Sequence, residues 1–152
     1  MDHVELDTLH WLTDWQPRAL PEFRSLVSRA IAKPRWVLDG NNSKVRDLVW
    51  PSATDLIWLN YRFPVVFGRA LRRTLRRIVQ REQLFAGNHE SHAKVLFDRE
   101  SILWWVIRTY KRRRMEYPQL FMRTEHAHLR VFELKIPEEA VSLLEGLQKS
   151  IG

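Results

Sequence analysis

The sequence predicts an α/β fold in which a parallel β-sheet is flanked by helices. Trp36-Val37-Leu38 and Leu56-Ile57-Trp58-Leu59 are continuous apolar runs, the pattern of strands buried on both faces rather than of half-exposed ones. Amphipathic segments stand between the strand candidates, which is how parallel strands are joined. Three of those segments open beside a proline, at Pro21, Pro64 and Pro137, where the missing N–H is tolerated.

In chain order, Val4-Glu5-Leu6-Asp7 is a short strand candidate ending in an acid, and residues 9–17 form an irregular connection rich in aromatic residues. A helix follows Pro21, with Phe23, Leu26, Val27, Ala30 and Ile31 as its apolar stripe, and Pro34 closes it. The strand at 35–39 comes next. A short helix over 42–50 is expected to end at Pro51-Ser52, before the strand at 55–59. The long helix after Pro64 places Phe67, Leu71, Leu75, Ile78 and Val79 on one side and most of Arg69, Arg72, Arg73, Arg76 and Arg77 on the other. Residues 82–97 lack periodicity and read as a lid-like flap, after which Asp98 is an N-cap candidate for a helix reaching Arg114. A strand at 129–134 and a helix from Pro137, with Glu138 and Glu139 suiting its dipole, complete the chain. No repeat, linker or low-complexity stretch divides residues 1–152, so a single domain is expected.

A chain of 152 residues suffices for one such core. There is no cysteine, which excludes disulfides and cysteine-based zinc sites, and no apolar run nears the ~18 residues of a membrane span. With no signal-peptide pattern at the start, a cytoplasmic location and no membrane partner are expected. The net charge of +7 comes from 25 Lys and Arg against 18 Asp and Glu, with arginine clustered at 69–81 and 108–114. Clustered guanidinium forks favour a phosphate-bearing partner, whether nucleotide or nucleic acid.

Asp39-Gly40 closes the strand at 35–39, where ligands gather in open α/β sheets. A carboxylate there suits a Walker-B-type position holding magnesium; a simple Asp-Gly turn is the alternative. His89 with His92, and His126 with His128, have the spacing to share a face but lack a further ligand, so a metal site is not expected from them. Trp104-Trp105 reads as packing rather than as a base-stacking surface.

Leu6-Asp7 with Leu9-His10-Trp11, Trp36-Val37-Leu38-Asp39-Gly40-Asn41, residues 55–59, Leu71-Arg72-Arg73-Thr74-Leu75-Arg76-Arg77, Gly87-Asn88-His89-Glu90-Ser91 and residues 98–105 occur in a familiar order. Together they resemble the adenylate-kinase-like P-loop NTPases known as DNA topology modulation proteins. The resemblance covers essentially the whole chain and implies a three-layer parallel sheet with flanking helices. It also exposes an omission. The family opens with a strand, a G-x-x-x-x-G-K-[ST] loop and a first helix, and none of the glycines Gly40, Gly68, Gly87, Gly146 and Gly152 precedes a lysine. By comparison with the family, roughly 25 to 30 residues before Met1 are absent. The missing strand would be central, between those at 35–39 and 55–59, and its loss would open two apolar strand edges.

The resemblance also implies roles. Asp39 would hold Mg2+ through water, beside Gly40; Asp7 would orient or deprotonate an acceptor hydroxyl. Arg69 and Arg73, with Arg108 and Arg112, would neutralise the transferring phosphoryl group. Lys135 and Pro137 would border the adenine. ATP and Mg2+ are the cofactors implied for a complete family member. The function implied is phosphoryl transfer to a nucleotide or small hydroxylated acceptor, by a remnant or truncated kinase that is inactive as this chain alone. The rival readings are an arginine-rich module binding nucleic acid without sequence specificity, and a pseudo-enzyme that self-associates through its open strand edges.

Overall fold

Parallel pairing joins β1 (Asp2–Glu5) to β2 (Trp36–Asp39), and β3 (Asp55–Leu59) to β4 (Arg130–Leu134), forming two sheets of two strands each. The helices are α1 (Leu6–His10), α2 (Leu20–Ile31), α3 (Arg46–Ser52), α4 (Phe63–Gln80), α5 (Ile102–Phe121) and α6 (Pro137–Ile151). This computed structural model describes residues 2–80 and 102–151. The expected flap at 82–97, the Asp98 cap and the His89/His92 pair lie outside the described residues. The chain is mixed α/β, and its described residues fall into two compact units, 2–53 with Gln80 and 54–79 with 102–151.

In the first unit, β1 and β2 run in register from Asp2↔Trp36 to Glu5↔Asp39. α2 carries its stripe as the spacing requires: Phe23 and Val27, one turn apart, are fully buried, and Leu26, Ala30 and Ile31 are half-buried. Burial of two such side chains is worth about 1.5–3 kcal/mol each. Leu6, Val45, Val49 and Trp50 complete the buried set. Arg24 of α2 grips the Asp47 carboxylate with both terminal nitrogens, at 2.9 and 2.7 Å, and donates at 2.7 Å to the carbonyl of Lys44. That fork ties α2 to α3 and holds the Asp47 carboxyl below the usual carboxylate range.

Several local expectations give way here. Asp7 does not end a strand; β1 stops at Glu5, and Asp7 lies in the first turn of α1. Pro51 does not stop the preceding helix but sits inside α3, near its end, where few intrahelical bonds remain for it to break. Residues 11–17, expected to be irregular, form a miniature hairpin. Trp11 bridges Pro17, the Leu12 amide donates to the Gln16 carbonyl at 2.8 Å, and the Gln16 amide to the Thr13 carbonyl at 3.3 Å. The central residues, Asp14 and Trp15, both have φ 56°. That is the arrangement of a type I′ turn, which favours Asn-Gly. Aspartate tolerates it; an indole-bearing residue there stores about 1–3 kcal/mol of strain.

In the second unit, the bidentate pair Arg130–Asp55 (2.8 and 2.9 Å) clamps the start of the sheet. Backbone bonds extend the ladder beyond both ends, from the Arg130 amide to Thr54 at 2.9 Å and from the Asn60 amide to Leu134 at 2.8 Å. Trp58 packs its ring against Tyr117 and Phe121 of α5, at 5.6 and 5.5 Å between centroids. α4 and α5 meet through Ala70, Leu103 and Val106, flanked by Val66, Phe67 and Leu71. The buried line of α4 thus runs through Ala70 and Thr74 rather than Leu75 and Val79; Val79 is 82% exposed. Small side chains at 70 and 74 give the close face, a choice invisible to an apolar count. α5 continues past the expected end at Arg114 to Phe121, because Tyr117 and Leu120 bury on it and Pro118 falls in its last turns. Trp104 and Trp105, expected to pack inside, are each more than two-fifths exposed.

Gly40 is held to glycine by both its backbone and its surroundings. Its φ is +114°, and a Cβ there would stand 2.9 Å from the Cβ of Leu6, itself buried. Gly40→Ala is therefore expected to destabilise the chain by about 2–4 kcal/mol, from backbone strain plus overpacking. Urea denaturation checks this, with Gly146→Ala as the control, since a Cβ at Gly146 meets no atom within 4 Å.

Candidate functional site

The sequence-derived residues separate between the units. In the first, the Glu5↔Asp39 register puts Asp7, two residues further on, at the same carboxyl-terminal edge of the sheet as Asp39. Contact between Leu6 and Gly40 fixes that edge. Asp7 and Asp39 are both exposed. Gly40 has a reason within the chain itself, since Leu6 occupies the space that a side chain would fill.

Next to them lies a group that the sequence reading passed over. His10, at the end of α1, is 6% exposed and wedged between Trp11 and Phe23, with ring centroids 4.7 Å from each. Its Nδ1 is buried without a hydrogen-bond partner. Burial holds the imidazole below its ordinary 6.5, the Lys44 charge pushes the same way, and Asp7 opposes them. Aromatic spacing around Asp7 was the available signal; burial of the imidazole was not legible.

In the second unit, Arg69 and Arg73 lie one turn apart on α4, and Arg108 and Arg112 one turn apart on α5; all four are exposed. The guanidinium of Arg69 lies over the Tyr61 ring at 5.2 Å. On α5, Arg113 covers Trp105 at 4.2 Å and Arg114 donates to the Tyr110 hydroxyl at 2.7 Å, while that hydroxyl donates to the Tyr61 carbonyl at 3.1 Å. Lys135 and Pro137 follow β4. The Glu139 carboxylate, in the first turn of α6, reaches back to accept from the amides of Lys135 at 2.6 Å and Ile136 at 3.5 Å, closing the start of that helix. An adenine beside Lys135 and Pro137 would have to use other atoms than those amides.

Among the described residues no group of three or more His, Asp or Glu could hold a metal ion. A magnesium ion needs no such cage, because it keeps its waters and binds one carboxylate plus phosphates. Asp39 is a single exposed carboxylate at the end of β2. A triphosphate finds no G-x-x-x-x-G-K-[ST] loop in this sequence. No helix of the described residues is long and apolar enough to cross a membrane. Comparison with protein-family models, with curated proteins and with solved structures yields no match for this chain.

His10 makes stability pH-dependent. Above 6.5 neither the folded nor the unfolded chain carries the proton. As pH falls through that value the unfolded chain takes it up first, so folding loses stability on acidification. Thermal melts of the native chain are expected to shift down between about pH 7.5 and 5.5, and His10→Gln to flatten that slope whatever its effect at neutral pH.

Proposed function

We propose that this chain belongs to a phosphoryl-transferring P-loop fold of adenylate-kinase type, carrying its acceptor and arginine elements but not the loop that cradles ATP. The single observation that carries this is the pairing. All four described strands pair in parallel, and Asp7, Asp39, Gly40, Lys135 and Pro137 all follow or end strands at carboxyl-terminal edges, where ligands of parallel sheets bind. Asp7 takes the acceptor hydroxyl as orienting group or base, and Asp39 holds Mg2+ through water. Arg69, Arg73, Arg108 and Arg112 lower the charge on the transferring group. ATP and Mg2+ supply the phosphoryl group and its charge neutralisation when bound. The acceptor is a nucleotide or a small hydroxylated molecule. The sequence holds no G-x-x-x-x-G-K-[ST] loop to grip the β- and γ-phosphates, so on this reading the chain alone is inactive.

The coding sequence upstream of Met1 is the direct test. An in-frame G-x-x-x-x-G-K-[ST] within about 30 codons is expected. In a form carrying that loop, Asp39→Asn is expected to cut Mg2+-dependent phosphoryl transfer about 100-fold or more, measured with labelled ATP. An in-frame stop with no such loop would remove this function.

A second reading rests on a separate observation. Arg69, Arg72, Arg73 and Arg76 of α4 and Arg108 and Arg112 of α5 are exposed on two helices that pack together. Such a surface binds nucleic-acid phosphates without regard to sequence. If it does, affinity for duplex DNA should fall steeply with salt on a log–log plot. Arg73→Ala with Arg112→Ala should reduce the slope by about two. Fluorescence anisotropy at about 50 mM salt that detects no binding would dismiss it.

A further inference from the structure

In the second unit, β3, β4 and α5 enclose a cavity of about 460 Å³ that phosphoryl transfer does not use. Its size is that of a small-molecule site. Side chains alternate along a strand, so Trp58 and Asn60 at the end of β3, with Val131 and Glu133 of β4, share the face that floors it. Trp58 and Glu133 are register partners, side by side in the ladder. Arg114 of α5 and Met122, just past its last residue, line the same space.

The polar groups of this lining keep bonding capacity in hand. Asn60 is 7% exposed, and its Nδ2 donates to Glu133 Oε1 at 2.6 Å. A carboxylate only accepts, so the amide nitrogen is the end that faces it and the amide oxygen is left over. That oxygen accepts from none of the described residues. The second oxygen of Glu133 has Lys135 Nζ at 3.7 Å, an exposed pair of little worth. Arg114 donates to the Tyr110 hydroxyl at 2.7 Å, and among the described residues no carboxylate pairs with it, Glu133 included. A cation and an anion thus border one cavity without meeting each other. A phosphate ester there would face the Glu133 carboxylate, and a plain hydrocarbon would leave all three polar groups without partners. We propose that the cavity binds a free α-amino acid with a large apolar side chain, its carboxylate on Arg114, its ammonium on Glu133 and the Asn60 oxygen, and its side chain on Trp58, Val131 and Met122. This site is separate from phosphoryl transfer and does not depend on it.

Titration calorimetry on the whole chain tests this with phenylalanine and leucine as ligands. The controls are N-acetylphenylalanine, which lacks the ammonium, phenylalaninamide, which lacks the carboxylate, and alanine, which lacks the large side chain. Saturable binding of phenylalanine and leucine is expected, with each control about 10-fold weaker or more. Glu133→Gln should remove the advantage of phenylalanine over N-acetylphenylalanine, and Arg114→Gln its advantage over phenylalaninamide. The first variant leaves the fold intact, since a glutamine oxygen still accepts from Asn60 Nδ2. Three results would overturn the proposal: no saturable binding of phenylalanine or leucine at about 10 mM, a control that binds as well as phenylalanine, or selectivity unchanged in Glu133→Gln.

Discussion

The contact between Leu6 and Gly40 is the constraint on which the first unit's candidate site depends. Leu6 is the residue at which β1 becomes α1, and Gly40 follows the last residue of β2. Their approach leaves no room for a Cβ, so the two strand ends are locked side by side. Leu6 is buried, and the flanking acids Asp7 and Asp39 are turned to solvent. An apolar residue anchored inward thus holds two carboxylates outward at one edge. The arrangement needs an apolar residue at 6 and glycine at 40.

The mixed α/β class and the order of strands and helices were legible where local chemistry and tertiary packing agree, whereas the division into two sheets of two strands was not. The runs at 36–38 and 56–59 did become parallel strands, though with one face of each exposed rather than both buried, and Pro21, Pro64 and Pro137 each lie in a first helical turn. The failures have a common cause, which is packing that periodicity does not encode. α4 buries Thr74 and packs Ala70 against Leu103 and Val106 in place of its larger neighbours. α5 outruns its polar stretch at 111–114 because Tyr117 and Phe121 find Trp58 beyond it. The type I′ turn at Asp14-Trp15 broke the rule that glycine marks such turns, so no turn signal announced it. Of the site, the acids and arginines were legible as residue types. The burial of His10 and the capping of α6 by Glu139 were not, since each depends on contacts absent from the local sequence.

Charge is distributed unevenly between paired and exposed groups, and that bears on function more than the net value does. Arg24 and Arg130 are each held by an aspartate in a two-pronged pair. Those pairs join α2 to α3 and β3 to β4, and both are largely exposed, so they add register and orientation more than stability. Three arginines of α4 and α5 stand differently. Arg69 rests on Tyr61, and Arg113 and Arg114 on Trp105 and Tyr110, contacts that orient a guanidinium without neutralising it. Aromatic support thus fixes the direction of these three forks by ring contact rather than by an ion pair.

The sheets themselves make the remaining physical demand. Two parallel strands alone are a poor structural unit, because parallel ladders are normally covered on both faces and extended on both edges. Each sheet here leaves apolar side chains near solvent: Val37 in β2 is 47% exposed, and Ile57 and Leu59 in β3 are 48% and 54%. β2 pairs only with β1 and β3 only with β4 among the described residues. Strands with the composition of buried ones are thus left half open in each sheet, and an exposed apolar edge is where a parallel ladder gains most from a further element packed or paired against it.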